Sequence, residues 1–510
     1  MKLSDNLFEL IKSLNKTEKG YFKKSAGFHT IGSKNNYLRL FEFIEKQKEY
    51  DEQKVRKYFA NEPMLNNLSV AKIYLYDLIM ESLESYSRNS SVELKLKSYL
   101  HQARILFNKT LYGQCRDLVD KAYKLALKYD KVLEQVELLN WRIKLNSATS
   151  YLNQIEIEIT EPFLKINETL GQYSNYMAYF REQEKMFLHH IQARGGGGVR
   201  QNAEIEKIVR QQMFKDPRKA ISDEAKYYYN MAWSVYYFSR HDYLNSYSCT
   251  KKLLALYENA PHKIKDNEFR HFNNLFNLML CEHHLGKYDE LTANIEKIKN
   301  IETNSSRLKY AIQYSSYNFQ MMKDNHYGDF NSAIQMIEEK RTLENLKPPY
   351  DRYKTDFIYM SAMCYFGAKE YLKAKRNINR ILNEKLVDEN NALYTFLKVF
   401  KLILQFETGD TELISYTVRS TYYFLSKRKR LYKFENLVLD FIGKKLPKVN
   451  TRQELNDAFS KLKRELEELK KIPFEKSSLS YFDIISWLES KIQNRSFAEV
   501  VREKVLSKNR

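Results

Sequence analysis

The chain has 510 residues, 43% of them hydrophobic, with only 14 Gly and 8 Pro. That apolar content excludes wholesale disorder, and so few turn-formers exclude turn-rich β sandwiches and Gly-dependent nucleotide folds. The formal net charge of +20 attracts polyanions, although most Lys residues alternate with Glu and Asp along helical stretches and read as solvated faces.

The first 90 residues read as a compact helical unit. Leu3, Leu7, Leu10, Ile11 and Leu14 share one face of an opening helix. Thr17 is placed to cap the next, which carries Tyr21 and Phe22. Asp51 to Ala60, a turn, and Leu68 to Tyr86 have the spacing of a helix-turn-helix. A DNA-reading helix presents Arg, Lys, Asn or Gln, whereas this one sets Asp77, Glu81 and Glu84 beside Lys72. Residues 91–194 begin a run of helical hairpins. Four consecutive glycines, Gly195 to Gly198, then read as a hinge opening a connecting segment over 195–222, with a helix expected from about Asn202.

Residues 223–446 repeat themselves. Tyr243, Tyr288, Phe330 and Tyr371 each follow a polar or Gly-containing turn, and Ser246, Leu291, Ala333 and Ala374 come three positions later. An aromatic at the start of a second helix can plug the elbow of a hairpin. A small or apolar residue one turn on lets the paired helices approach, and Ile295, Ile337 or Ile378 meets the next hairpin. The aromatics recur at about 40 to 45 residues, a solenoid period. Residues 447–510 form a C-terminal cap. In it Leu455, Phe459, Leu462, Leu466 and Leu469 make a short heptad seam expected to lie as a lid on the last repeat, Pro473 ends that helix, and a final helix pair carries Phe482, Trp487 and Phe497.

These hairpins resemble the tetratricopeptide repeat family. The best unit runs from Thr355 to Glu384, with Ala362, Tyr365, Tyr371, Ala374, Ile378 and Ile381 at the family's offsets. The period exceeds the family's roughly 34 residues, and Leu291 replaces the small residue in one copy. The resemblance implies an all-α, right-handed solenoid, here flanked by the N-terminal domain and the C-terminal cap. It also implies an inner face on the first helices: Tyr228, Met231 and Val235; Asn273, Phe276 and Leu280; Asn318 and Met322; Tyr359 and Met363. Asn, Met and aromatic side chains there suit an extended peptide.

Chemistry is sparse. No phosphate loop, dinucleotide fingerprint, metalloprotease motif or nucleophile elbow occurs. His189-His190 and His283-His284 are adjacent, so each pair diverges around a helix and cannot chelate a metal alone. The four Cys, at 115, 249, 281 and 364, are too scattered for a disulfide framework. No apolar run reaches the roughly 18 residues of a membrane span, and Asp5 and Glu9 interrupt the N-terminal stretch where a signal peptide would be apolar, so a cytoplasmic protein is expected. The expected role is a non-enzymatic adaptor, without cofactor or metal, holding a protein or peptide on its inner face. One alternative is a nucleic-acid-associated protein using Lys427, Arg428, Lys429, Arg430 and Lys433, where Tyr432 interleaves with cations. Another is a peptide-sensing regulator that binds DNA through residues 1–90.

Overall fold

The computed structural model of the chain describes residues 3–27, 35–88, 91–149, 155–192, 198–258, 260–339, 351–389, 391–428, 432–469, 471 and 479–508. All regular structure among them is helical, 26 α-helices and no strand, in two compact units, Met1–Gly171 and Gln172–Arg510.

In the first unit, α1 (Leu3–Ser13), α2 (Lys16–Gly27), α3 (Asn36–Lys46), α4 (Glu52–Tyr58) and α5 (Leu68–Ser87) enclose one core around Leu7, Ile11, Phe22, Phe41 and Ile79. Asn15, not Thr17, caps α2. Its Oδ1 accepts from the backbone N–H groups of Thr17 and Glu18, while Glu18 Oε2 accepts from the Asn15 N–H. That reciprocal box satisfies three backbone donors at the helix start. α6 (Val92–Asn108), α7 (Tyr112–Lys128) and α8 (Val132–Ala148) close a second core on Leu96, Val119, Leu138 and Leu145. A long helix, α9 (Glu156–Gln192), contributes its first part to this unit and the remainder to the second.

The second unit continues with α10 (Gly198–Val209) and the short α11 (Gln212–Lys215). The glycine hinge lies outside the described residues except for Gly198, which already starts α10, earlier than Asn202. Five helix pairs follow, each with a leading and a trailing helix: α12 (Asp223–Ser239) with α13 (Tyr243–Glu258), α15 (Glu268–Leu285) with α16 (Tyr288–Lys299), α17 (Ser306–Tyr327) with α18 (Phe330–Glu339), α19 (Asp351–Gly367) with α20 (Tyr371–Asn383), and α21 (Ala392–Glu407) with α22 (Thr411–Lys427). A one-and-a-half-turn helix, α14 (Pro261–Asp266), joins the first two pairs. Packing is sequential: trailing helices meet the next leading helix, and α15 touches α17 as α17 touches α19.

Every pair turns by the same device. Two residues before each trailing helix stands a left-handed residue: His241, Gly286, Gly328, Lys369 and Gly409, with φ between 60° and 72°. The next N–H then bonds back to a carbonyl in the last turn of the leading helix, as in Asp242 to Tyr237, Lys287 to Glu282, Asp329 to Asp324, Glu370 to Tyr365 and Asp410 to Gln405. This six-to-one bond satisfies a carbonyl the helix end would otherwise orphan. Thr110 does the same between α6 and α7.

The positions expected to let helices approach are fully closed: Ser246, Leu291, Ala333 and Ala374 are all 0% exposed, with Ile295, Ile337 and Ile378 buried one turn on. The elbow aromatics do more than plug their own turns. Tyr243 stacks on His284 and Tyr288 on His326, Phe330 lies against Gly367, and Tyr371 faces the Glu407 carboxylate. The first four trailing helices therefore each start on the end of the following leading helix.

After α23 (Lys433–Asp440) and a π turn at Phe441–Lys445 comes α24 (Arg452–Leu469), whose Phe459, Leu462, Leu466 and Leu469 are buried as the heptad seam requires. The final helices, α25 (Ile484–Ile492) and α26 (Phe497–Lys508), do not close the last pair alone. Phe497 stacks on Phe330 at 5.6 Å, Phe482 packs on Phe366 and Phe400 at 4.9 Å each, and Trp487 Nε1 donates to Glu407 at 2.6 Å. Arg502 Nε donates to the Gly328 carbonyl at 3.1 Å. The segment thus reaches three pairs, through Phe330 on α18, Phe366 on α19 and Phe400 on α21.

Candidate partner-binding face

The leading helices α12, α15, α17 and α19 carry the residues expected on the inner face, and the structure treats them differently along the row. At α12, Tyr228 is engaged. Its ring lies 4.6 Å from Phe180 and stacks on Tyr176, and its hydroxyl accepts from Arg270 Nη2 at 3.3 Å. Met231 packs with Tyr227, Leu253 and Tyr257, and Val235 with the cluster around Tyr179 and Phe214.

Arg270 is the centre of this end, and sequence reasoning missed it. Its Nη1 donates to both Glu224 carboxylate oxygens at 2.8 and 2.9 Å and to the Tyr257 hydroxyl at 2.8 Å, and the guanidinium sits 4.5 Å from the Tyr227 ring. Burial disfavours its charge, but Glu224 outweighs that, so its pKa is raised and the cation is permanent. Burial raises the pKa of Tyr227, keeping its hydroxyl protonated to donate to Asn274 Oδ1 at 3.0 Å. The signal available in the sequence was the Tyr227-Tyr228 pair, but a matching cation 42 positions from Tyr228 leaves no periodic trace.

On α15 and α17 the expected residues are half-buried or buried. Asn273 is half-buried, and its side-chain amide makes no hydrogen bond among the described residues. Phe276 meets Phe319 edge-on at 5.2 Å, with Leu280 and Met322 packed against the same cluster. Asn318 is buried, and its Oδ1 has no hydrogen-bond partner among the described residues.

From α19 onward the face is occupied by the chain itself. The Tyr359 hydroxyl donates to the Tyr481 carbonyl, and Met363 lies in the core cluster that includes Phe482 and Trp487. Along the expected row Tyr228 and Tyr359 are hydrogen-bonded within the chain, whereas the half-buried Asn273 side chain makes no hydrogen bond among the described residues.

The basic cluster is less free than its sequence reads. Arg428 pairs with Glu389 and lies 4.0 Å over the Phe424 ring. Lys444 pairs with Asp440 at 2.8 Å, and Lys427 sits 6.0 Å over Tyr423. Lys433 begins α23, and Lys429 and Arg430 lie outside the described residues. In the first unit, Lys72 on α5 is buried, bonded to Glu52 at 2.6 Å and to the Tyr50 hydroxyl at 3.1 Å, so it is not free for a phosphate.

All four thiols are buried, and burial raises their pKa values, that of Cys281 to about 11. Among the described residues no three His, Cys, Asp or Glu side chains gather as a metal site would need. No described helix is long and apolar enough to cross a membrane. Compared with protein-family models, with curated proteins and with solved structures, the chain matches none of them, so the tetratricopeptide resemblance carries a helical repeat and no family assignment.

Proposed function

We propose that this protein is a non-enzymatic scaffold whose helix pairs stack as a right-handed, tetratricopeptide-type solenoid and hold an extended segment of a protein partner against α15 and α17. The observation that supports this reading lies in the middle of the expected row, on α15. There Asn273 offers an amide with no hydrogen-bond partner among the described residues, one turn from Phe276, which shares a cluster with Met322. An amide can clamp a peptide backbone while Phe and Met adapt to its side chains. The covered end from Tyr359 onward sets where such a segment stops. The polyanion reading is weaker, because Arg428 and Lys444 already have carboxylate partners. The four buried thiols suit a reducing compartment.

The test is site-specific photocrosslinking in the cells that make the protein. A crosslinker at Asn273 or Met322 should capture one discrete partner. The same group at Leu372, which is 72% exposed on the trailing helix α20, should not. Equal capture from both positions, or none from the inner pair, rules the reading out.

A further inference from the structure

On another face of the same helices, a cleft of about 730 Å³ opens between α13 and α16, with α15 as its floor. Its lining follows from helical spacing: Tyr247, Lys251, Leu254 and Glu258 on α13 fall at i, i+4, i+7 and i+11, and His271, Leu275, Leu278 and Glu282 on α15 repeat the interval. Volumes of 300 to about 1,000 Å³ with an apolar lining and a few convergent polar groups are typical of small-molecule sites.

The floor holds an unresolved debt in hydrogen bonding. Glu282 is 1% exposed; its Oε1 accepts from Asn294 Nδ2 at 2.8 Å, and its Oε2 has no partner among the described residues. A buried carboxylate oxygen left bare costs roughly 1–3 kcal/mol or more, and a residue of similar shape without the charge would pack here at less cost. Three turns earlier on α15, at the other end of the floor, His271 Nδ1 is likewise buried without a partner among the described residues. At the mouth the balance reverses. Lys251, Lys252 and Lys297 are exposed and make no ion pair among the described residues, whereas Glu290 is tied to Lys287 at 2.9 Å. The cleft is therefore acidic and desolvated at its base, aliphatic along Leu254, Leu275 and Leu278, and cationic at its rim.

We propose that this cleft binds a small organic zwitterion with a cationic head, an aliphatic body and a carboxylate tail, the head seated on Glu282 and the tail among Lys251, Lys252 and Lys297. Such a ligand supplies the donor Glu282 Oε2 lacks, buries its stem on the leucines, and neutralises the rim. This site is independent of the inner face, and either can fail without the other.

The probe is N-acetyl-L-arginine, which presents a guanidinium, an aliphatic stem and a free carboxylate. It is titrated calorimetrically into the full chain beside N-acetyl-L-argininamide, which lacks the carboxylate, and N-acetyl-L-norleucine, which lacks the cation. Saturable binding of the first is expected, with each control at least tenfold weaker. Glu282→Gln should erase the preference for arginine over norleucine. Lys251→Ala with Lys297→Ala should erase the preference for acid over amide. Asn273→Ala should change neither. Both lysines are exposed, so the double variant decides the matter even if Glu282→Gln fails to fold. No saturable binding at millimolar probe, or preferences that survive the variants, would overturn the proposal.

Discussion

Tyr243 lies flat on His284, ring centroids 4.1 Å apart and planes 8° from parallel, although the two residues belong to consecutive helix pairs. Tyr288 and His326 repeat the arrangement at 4.1 Å and 24°. A ring at the start of one trailing helix thus fixes the end of the next leading helix, so each pair sets the placement of its successor. The contact couples neighbouring pairs directly.

Removing one such ring should be costly. Tyr288 is buried and also meets Tyr327 and His283. Tyr288→Ala is expected to cost about 3–5 kcal/mol, the usual loss for a buried aromatic. Tyr288→Phe keeps the ring and gives up only the hydroxyl contact with His283 Nδ1, a loss of about 1 kcal/mol. Urea unfolding of the two variants separates ring from hydroxyl; similar midpoints would mean that the stack contributes nothing.

Gly367 is required for a reason of space. A Cβ there would meet the Phe330 ring at 2.3 Å, and that ring is held by Phe497 behind it. Gly367→Ala should therefore destabilise by several kcal/mol, and Phe330→Leu should recover part of the loss in the double variant. Gly20, inside α2 with nothing within 4 Å, provides the contrast. Gly20→Ala should stabilise by roughly 0.5–1 kcal/mol. Thermal midpoints moving in opposite directions are the expected readout.

Acid should loosen the second unit through His283. Burial, then the neighbouring His284 and His326, push its pKa down to about 3, against about 6.5 in an unfolded chain. Below pH 6.5 the unfolded chain takes up a proton that the folded one refuses. Stability is therefore lost as the pH falls from about 6.5 toward 3, by about 1.4 kcal/mol at pH 5.5 for one such group. Glu282 and Asp324, raised by burial, act in the opposite sense once the pH approaches their own range. Urea midpoints of wild type and His283→Gln compared between pH 7.5 and 5.5 isolate the histidine; parallel curves would remove it from the account.

What could be read in the sequence was what repeats. The elbow aromatics, the closed positions at Ser246, Leu291, Ala333 and Ala374, and the heptad seam of α24 all recur at fixed intervals, and periodicity is what a single sequence displays. Arg270 with Glu224 and the cleft around Glu282 were not legible, because Lys and Glu on a helix carry the same letters whether they face water or a neighbour. The return of α26 to Gly328 was hidden for a different reason. It joins residues 174 positions apart, and no local pattern records which surface a distant aromatic segment will choose.

That return ties the C-terminal segment into three of the helix pairs. Phe366, Phe396 and Phe400 are each at most 2% exposed, and Phe482, Tyr481 and Phe497 are among the rings that cover them. An aromatic side chain buries roughly 150–250 Å², worth about 4–6 kcal/mol at 25 cal/mol per Å². Uncovering even part of three such rings consumes much of the roughly 5–15 kcal/mol that holds a domain together. A chain ending at Lys471 should therefore bind a hydrophobic dye and be cleaved rapidly within residues 306–407, while the first unit keeps its protection in hydrogen exchange. Glu407→Ala is the milder form of the same experiment. It leaves Trp487 Nε1 and Lys491 Nζ, now 2.6 and 2.7 Å from that carboxylate, without their acceptor, and should cost about 1–3 kcal/mol. If instead the shortened chain kept wild-type protection over 306–407, those leading helices would be stable with their aromatic surface bare, and the face from Tyr359 onward would be free to take a partner.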